Sequence, residues 1–292
     1  MELTRYIYVT LCLFACCGVT AQDPVCRNIT NLNGLPSNTV YYLLQDNRGF
    51  IWLAHDRGLS RYDGREFKQY STGSQVGRSL SNLVQVGNEI WCQDFSGNFY
   101  YTRGDSLVPE PAIKTQGTFI ATSVVGGNTL VSCKQDSLRQ FNITQRKYLA
   151  VHNPHNFLPA QCAADGGLYF LSTGSVLFYQ NGHTRPVQTL PGRLPRFFYL
   201  VKNESGFAAL TRDTYPYVYF IGRNGITAQP LLQPGIFIQD VCVVEEEIWI
   251  STSAGAWCFT KNWQPKYGGR CFYAGSSITR IMKDREGSYW FG

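Results

Sequence analysis

Apolar and polar positions along this chain repeat with a period of about 40 residues. An apolar dipeptide recurs as Ile51-Trp52, Ile90-Trp91, Leu130-Val131, Leu168-Tyr169, Phe207-Ala208, Ile248-Trp249 and Tyr289-Trp290, at steps of 38–41 residues. Four of the six Trp stand at the second place of this pair, which chance would rarely arrange. A cluster of Gly, Asn, Asp or Glu precedes each dipeptide, as in Asp46-Asn47-Arg48-Gly49, Gly126-Gly127-Asn128 and Asp284-Arg285-Glu286-Gly287. Gly, Asn and Asp tolerate positive φ, so these clusters read as tight turns. A second turn follows 11–16 residues later, at Asp63-Gly64, Gly104-Asp105, Asn142, Asn181-Gly182, Asn224-Gly225 and Asn262. Short apolar and aromatic runs lie between the turns, which is the pattern of strands joined as hairpins.

Four short strands per unit, repeated six or seven times, predict an all-β chain folded as a β-propeller. The expectation is seven four-stranded blades, with the seventh truncated at the C-terminus. The repeat Trp residues should fill the layers between blades. Residues 24–32 parallel the outer-strand positions Phe67–Tyr70 and Cys271-Phe272-Tyr273. They are therefore expected to close the ring as the outer strand of the last blade.

Composition agrees with buried sheets. The chain has 292 residues, 44% hydrophobic, 14% aromatic and only 16% charged. That excludes an intrinsically disordered chain and argues against a helical bundle. Length alone would suggest about two domains, but the repeat assigns residues 22–292 to one propeller. The formal charge of +6 is spread along the chain without basic runs. A nucleic-acid groove needs such clustering, so no nucleic acid is expected.

Residues 1–21 have Arg5, an apolar stretch from Tyr6 to Cys17, and small residues at Val19 and Ala21. This reads as a secretory signal peptide cleaved before Gln22. Leu13-Phe14-Ala15-Cys16 also resembles a bacterial lipobox, which would lipidate Cys16. Of the ten Cys, seven follow Ala21, and none of these seven form a C-x-x-C pair. Zinc-ribbon and thioredoxin readings therefore fail. Most of the seven are expected to pack as small buried residues in strands.

Three stretches carry a more specific likeness. They are Gly34-Leu35-Pro36-Ser37-Asn38-Thr39-Val40, Gln45 to Trp52, and Gly58-Leu59-Ser60-Arg61-Tyr62-Asp63-Gly64. In that order they resemble the two-component regulator propeller repeat, and residues 278–292 resemble its opening half. Trp52-Leu53 is followed here by Ala54-His55, where such repeats commonly have Gly-Thr. The resemblance implies the exported sensor region of a Bacteroidetes-type sensor histidine kinase or hybrid regulator. It implies a periplasmic, extracytoplasmic location, and inner-membrane attachment through a C-terminal segment with a β-sandwich, a transmembrane helix and a kinase. It also implies homodimeric subunits whose arrangement the ligand biases.

No catalytic constellation stands out, so this segment is not expected to be an enzyme. There is no phosphate loop and no G-x-S-x-G elbow. His152-Asn-Pro-His155 is an isolated pair interrupted by Pro154, and it reads as a surface loop rather than a metal site. No cofactor is expected. In a propeller, loops after the second strand of each blade and loops entering each first strand share one face around the channel. The residues there are His55, Asp56, Arg57, Asp94, Lys134, Asp136, Arg212, Asp213 and Tyr215. They mix charge with hydrogen-bonding groups, as a polar ligand requires. The expected partner is an extracellular ligand, either a glycan fragment or a protein. The alternatives are a secreted propeller enzyme acting on polysaccharide, and a propeller that only scaffolds protein contacts.

Overall fold

The computed structural model describes residues 26–292 apart from 73–77, 114–121, 135–136, 153–156, 191–194, 196, 205 and 223–224. The expected signal peptide lies outside these residues. The chain is all-β and runs as consecutive antiparallel sheets with strands in sequence order. Blade one contains β1 (Val40–Gln45), β2 (Ile51–His55), β3 (Gly58–Tyr62) and β4 (Phe67–Tyr70). Blade two contains β5 (Leu80–Val86), β6 (Glu89–Asp94), β7 (Phe99–Arg103) and β8 (Ser106–Glu110). Blade three contains β9 (Thr122–Val125), β10 (Thr129–Lys134), β11 (Ser137–Asn142) and β12 (Lys147–His152). Blade four contains β13 (Phe157–Ala164), β14 (Gly167–Ser172), β15 (Ser175–Gln180) and β16 (His183–Thr189). Blade five contains β17 (Phe197–Asn203), β18 (Gly206–Thr211), β19 (Tyr217–Gly222) and β20 (Gly225–Pro230).

Two blades depart from four strands. Blade six has β21 (Ile238–Val244), β22 (Glu247–Thr252) and β23 (Gly255–Thr260). Its outer position is taken by an irregular segment that meets β23 only at the bridges Ala256–Phe272 and Phe259–Pro265. A 3-10 turn at Tyr267–Gly269 interrupts the ladder between those bridges. Blade seven is a two-stranded sheet of β24 (Ile281–Lys283) and β25 (Tyr289–Phe291). The architecture is thus the seven-bladed propeller with a partial seventh blade. Residues 26–30 join no sheet, and Asn31–Asn33 forms a 3-10 turn capped by the Thr30 side chain. The sheet that the segment 24–32 would extend has no third strand among the described residues to receive it.

The repeat dipeptide sits on the second strand of every blade. Its Trp side chains are inter-blade core: Trp52 is 1% exposed and Trp91 is fully buried. Trp52 packs with Tyr70 of its own blade and with Leu80, Leu83, Ile90 and Tyr100 of the next. Trp91 packs with Leu130 and Phe141 of blade three. Trp249 faces Tyr289 and Phe291 of blade seven. A buried indole N–H needs an acceptor, and an acid in the preceding turn or at the start of the same strand supplies one for each of the four. Trp52 donates to Asp46 at 2.9 Å, Trp91 to Glu89 at 3.0 Å, Trp249 to Glu247 at 2.8 Å and Trp290 to Asp284 at 2.7 Å. The Asp46 turn needs Gly49, whose φ is 96°. The acid-turn-Trp pattern in the sequence is therefore a device of the fold.

The first strands of neighbouring blades touch around a central channel, and β24 of blade seven touches β1 of blade one. Side chains and backbone close that seam. Thr279 donates to the carbonyl of Val40 at 2.5 Å. Arg285 donates to the carbonyls of Asp46 and Asn47 and to the side chain of Gln45. Leu43, Leu53 and Tyr62 pack against Met282 and Trp290 across it.

Candidate functional site

Most first strands carry a register irregularity near their entry. Pairing shifts between Val40 and Tyr42, Ser81 and Val84, Phe157 and Gln161, Phe197 and Tyr199, and Ile238 and Asp240. A bulge inserts an unpaired residue, twists the strand and re-aims the side chains beside it. At this level the innermost strands of blades one, two, five and six present Tyr42, Asn82, Tyr199 and Asp240, and Arg280 stands just before β24 in blade seven. Asn82 has a φ of 57°, and its side chain donates to Thr122 of blade three.

Four of these groups form one cluster on the arc of blades five, six, seven and one. Arg280 Nη1 donates to Asp240 Oδ2 at 2.6 Å. The Arg280 guanidinium lies 4.1 Å from the Tyr42 ring centroid, in cation–π contact. The Tyr199 hydroxyl donates to the carbonyl of Gln239. Arg212 Nη2 reaches Gln239 Oε1 at 3.3 Å. All four clustered side chains are deep in the protein mass, yet those of Arg280 and Asp240 keep 24% and 15% of their surface open. Groups surrounded by protein but still wetted line an internal channel.

The electrostatics follow from that placement. Burial pushes the Tyr199 hydroxyl up, while the charges of Arg212 and Arg280 pull it down. Burial likewise raises Tyr42, opposed by Arg280. Burial pushes the Asp240 carboxyl up, and Arg280 opposes that shift. For Arg280 burial works against the charge, but Tyr42, Asp240 and Cys242 outweigh it, so the guanidinium stays charged. Both Arg212 and Arg280 are felt at the Tyr199 hydroxyl, which places two cations around it.

The loop residues expected from sequence divide into two groups. His55 is fully buried at the end of β2. Its Nδ1 accepts from the Arg57 backbone N–H at 3.1 Å, which leaves the proton on Nε2 to donate to Ser60 Oγ at 2.9 Å. Burial lowers its pKa to about 4. Asp94 is also fully buried. It accepts from the backbone and side-chain N–H of Asn98 and from the Tyr100 hydroxyl. Both side chains lock their own turns and offer nothing to the channel. Asp56 Oδ1 is buried without a hydrogen-bond partner.

Arg57, Arg212, Asp213 and Tyr215 are exposed, as expected of a channel-face loop. Of these, Arg212 joins the cluster. Lys134 ends β10, and Asp136 lies outside the described residues. Aromatic residues share the loops of this face. Tyr215 is 61% exposed, Phe95 49% and Phe237 42%, and Phe95 meets Tyr41 edge-on at 5.0 Å.

Tyr42, Tyr199, Asp240 and Arg280 were not among the sequence candidates. Their common signal is a polar residue two places after an apolar residue, the strand-opening Val40, Phe197 and Ile238 and, ahead of β24, Ile278. The residue type changes from blade to blade, so no motif marks the position.

Described titratable side chains form no group of three or more that could hold a metal. The six cysteines whose side chains are described form no disulfide with one another, with Cys92 and Cys258 buried and Cys26 exposed. Burial raises Cys92 and Cys258, the latter to about 12, so neither is a ready thiolate. Among the described residues, no helix is long and apolar enough to cross a membrane.

Comparison with known proteins bears on fold and repeat. The sequence has no match among curated proteins. The extracellular domain assigned to a hybrid two component system, BT3049 from B. thetaiotaomicron, superposes with a TM-score of 0.63 at 19% identity over 91% of this chain. That of BT4673 from the same organism gives 0.63 at 18% identity over 87%. The present chain spans only 40% and 36% of those two chains. The computationally designed protein Ika8 also superposes, with a TM-score of 0.55 at 13% identity over 87% of this chain and 83% of its own. A designed protein sharing the architecture shows that the fold alone carries no function. Residues 34–57 match the family described as Two component regulator propeller. They span the entry to β1, the Asp46 turn and the Trp52 strand, so the first half of blade one is similar to the two component regulator propeller repeat.

Proposed function

We propose that this chain is the ligand-sensing propeller of an extracytoplasmic two-component regulator. The observation that carries the proposal is the Tyr42–Arg280–Asp240–Tyr199 cluster, which gathers charged and hydrogen-bonding groups from four blades at the channel. Four of the repeat acids are already bound by Trp indoles, whereas the cluster keeps donors unspent. Exposed aromatics on the same face supply flat surfaces beside it. Mixed polar and aromatic walls suit a glycan fragment, and a protein loop would use the same groups. The signal peptide exports the chain, and a membrane anchor and kinase belong to parts of the full protein outside this segment. The extracellular domains assigned to hybrid two component systems, which share the fold, support this reading.

A ligand could change kinase output only by binding two arrangements of the sensor subunits with different affinity. The experiment is a thermal-shift screen of polysaccharide fragments and secreted proteins on the exported chain, followed by a transcriptional reporter in cells carrying the full-length protein. A binder raises the apparent melting temperature and switches the reporter. Turnover of a fragment in place of simple binding would overturn the sensor reading in favour of an enzyme.

A further inference from the structure

From the donor excess of the channel cluster, we infer that its ligand carries an oxyanion, a carboxylate or a sulfate, seated on Arg280, Arg212 and the Tyr42 hydroxyl. The inference rests on the channel reading above and names the chemistry the channel would select.

A guanidinium has five N–H groups in a planar fork. Among the described residues Arg280 donates only to Asp240, through Nη1. Its Nε is buried without a partner and closed to a ligand, Nη2 is unpartnered and not sealed, and the other face of the cation rests on the Tyr42 ring. Arg212 is exposed and spends a single long bond on the neutral Gln239. The Tyr42 hydroxyl has no hydrogen bond to a described residue and is not sealed from solvent. On the acceptor side the cluster has one carboxylate, Asp240, already bound to Arg280 and to the Val241 N–H. Two arginines against one paired acid leave a positive field and several unspent donors. A ligand that fills the site must therefore bring acceptors and negative charge. Planar or tetrahedral oxyanions match the guanidinium fork with two parallel bonds, which an alcohol cannot do.

Asp240 has a defined part in this arrangement. Its bond to Nη1 fixes the Arg280 fork against Tyr42, so the remaining edge is held ready before the ligand arrives. Asp213, exposed beside Arg212, lowers the field at the loop.

The test uses the exported chain and isothermal titration calorimetry with three probes: tetragalacturonate for carboxylate, a monosulfated disaccharide for sulfate, and carboxyl-reduced tetragalacturonate as the neutral control. At least one anionic probe should bind, and at least about tenfold more tightly than the neutral one. Arg280→Lys keeps the charge and the ion pair with Asp240 but loses the fork, and should weaken that binding about tenfold. Because this variant could disturb the channel, Tyr42→Phe and Arg212→Gln serve as second readouts. The first removes a hydroxyl with no hydrogen bond to a described residue and the second only the long bond to Gln239, so each should weaken binding several-fold at a nearly unchanged melting temperature. Arg65→Gln, in the exposed turn between β3 and β4, should bind as the parent does. Equal binding of the neutral probe, still lost in Tyr42→Phe, would overturn the oxyanion inference and leave the channel site standing. Anion binding indifferent to Arg280→Lys, Arg212→Gln and Tyr42→Phe alike would overturn both, as would no binding of any probe.

Discussion

Asp46 reaches across its own turn to Trp52, six residues on, and accepts four N–H groups at once. Oδ2 accepts from the indole Nε1 at 2.9 Å and from Arg48 Nη2 at 3.4 Å, while Oδ1 accepts from the backbone of Arg48 and Phe50. Asp46 is 2% and Trp52 1% exposed, so the indole N–H has no water as a substitute. Removing the acid leaves that donor unpaired, at roughly 1–3 kcal/mol, and frees the turn. Asp46→Ala should destabilise the propeller by about 3 kcal/mol in urea unfolding, and Asp46→Asn by less because it keeps one acceptor. A loss below about 0.5 kcal/mol for the alanine variant would mean the turn does not hold the Trp.

His55 makes stability depend on pH. Its folded pKa, about 4, is below the ordinary value of 6.5 because burial disfavours the imidazolium. Between those values the unfolded chain takes up a proton that the folded chain refuses. The contribution is complete above pH 6.5 and is lost as the pH falls toward 4, by up to about 3 kcal/mol. Urea midpoints at pH 7, 5.5 and 4.5 should fall for the parent and fall much less for His55→Gln. Identical slopes in both proteins would remove His55 as the cause.

Glu247 joins blades six and seven. Burial alone would raise its pKa, but Lys266, Tyr289, Trp249 and Tyr267 all donate to it and hold it down at about 2. Glu247→Gln leaves several donors short of a charged acceptor and should cost on the order of 3 kcal/mol. The Tyr289 and Trp249 rings face each other at 5.1 Å beside this acid. Their near-ultraviolet dichroism should change in the variant even where the far-ultraviolet sheet signal does not.

Arg285 fastens blade seven to blade one from an exposed position. Exposed polar contacts contribute little to global stability, so Arg285→Ala should shift it by no more than about 1 kcal/mol. Local opening is a different quantity. Hydrogen exchange over residues 281–291 should accelerate about fivefold, the factor equivalent to that energy. Unchanged exchange there would show that the apolar contacts around Met282 and Trp290 close the seam unaided.

The blades were legible in the sequence because their signals are local and repeated. The turn acids, the Gly at positive φ and the apolar dipeptide recur at one spacing, and each has a steric or hydrogen-bonding reason to do so. Blade six is less legible at its outer edge. Phe272 aligns with the outer strands of other blades, but the turn at Tyr267–Gly269 leaves it a single bridge to Ala256. The channel was read one layer away from its polar cluster. His55 and Asp94 look like loop side chains, yet both fold back to satisfy their own turns. A polar residue serving its own backbone cannot be told by type from one serving a ligand. Tyr42, Tyr199 and Asp240 sit at register positions set by bulges, Arg280 joins them from just before β24, and their chemistry varies with the blade.

The seam between the first and last blades has a further consequence. Tyr42 belongs to one side of it and Arg280 to the other, and they touch across the gap that Arg285 bridges at its rim. A molecule gripping both residues would act as a cross-link between the two ends of the ring. Its binding energy would then be felt as resistance to the ring springing open, and a ring under tension would in turn release it. Occupancy of the channel and the mechanical integrity of the circle are thus a single equilibrium, read from either end.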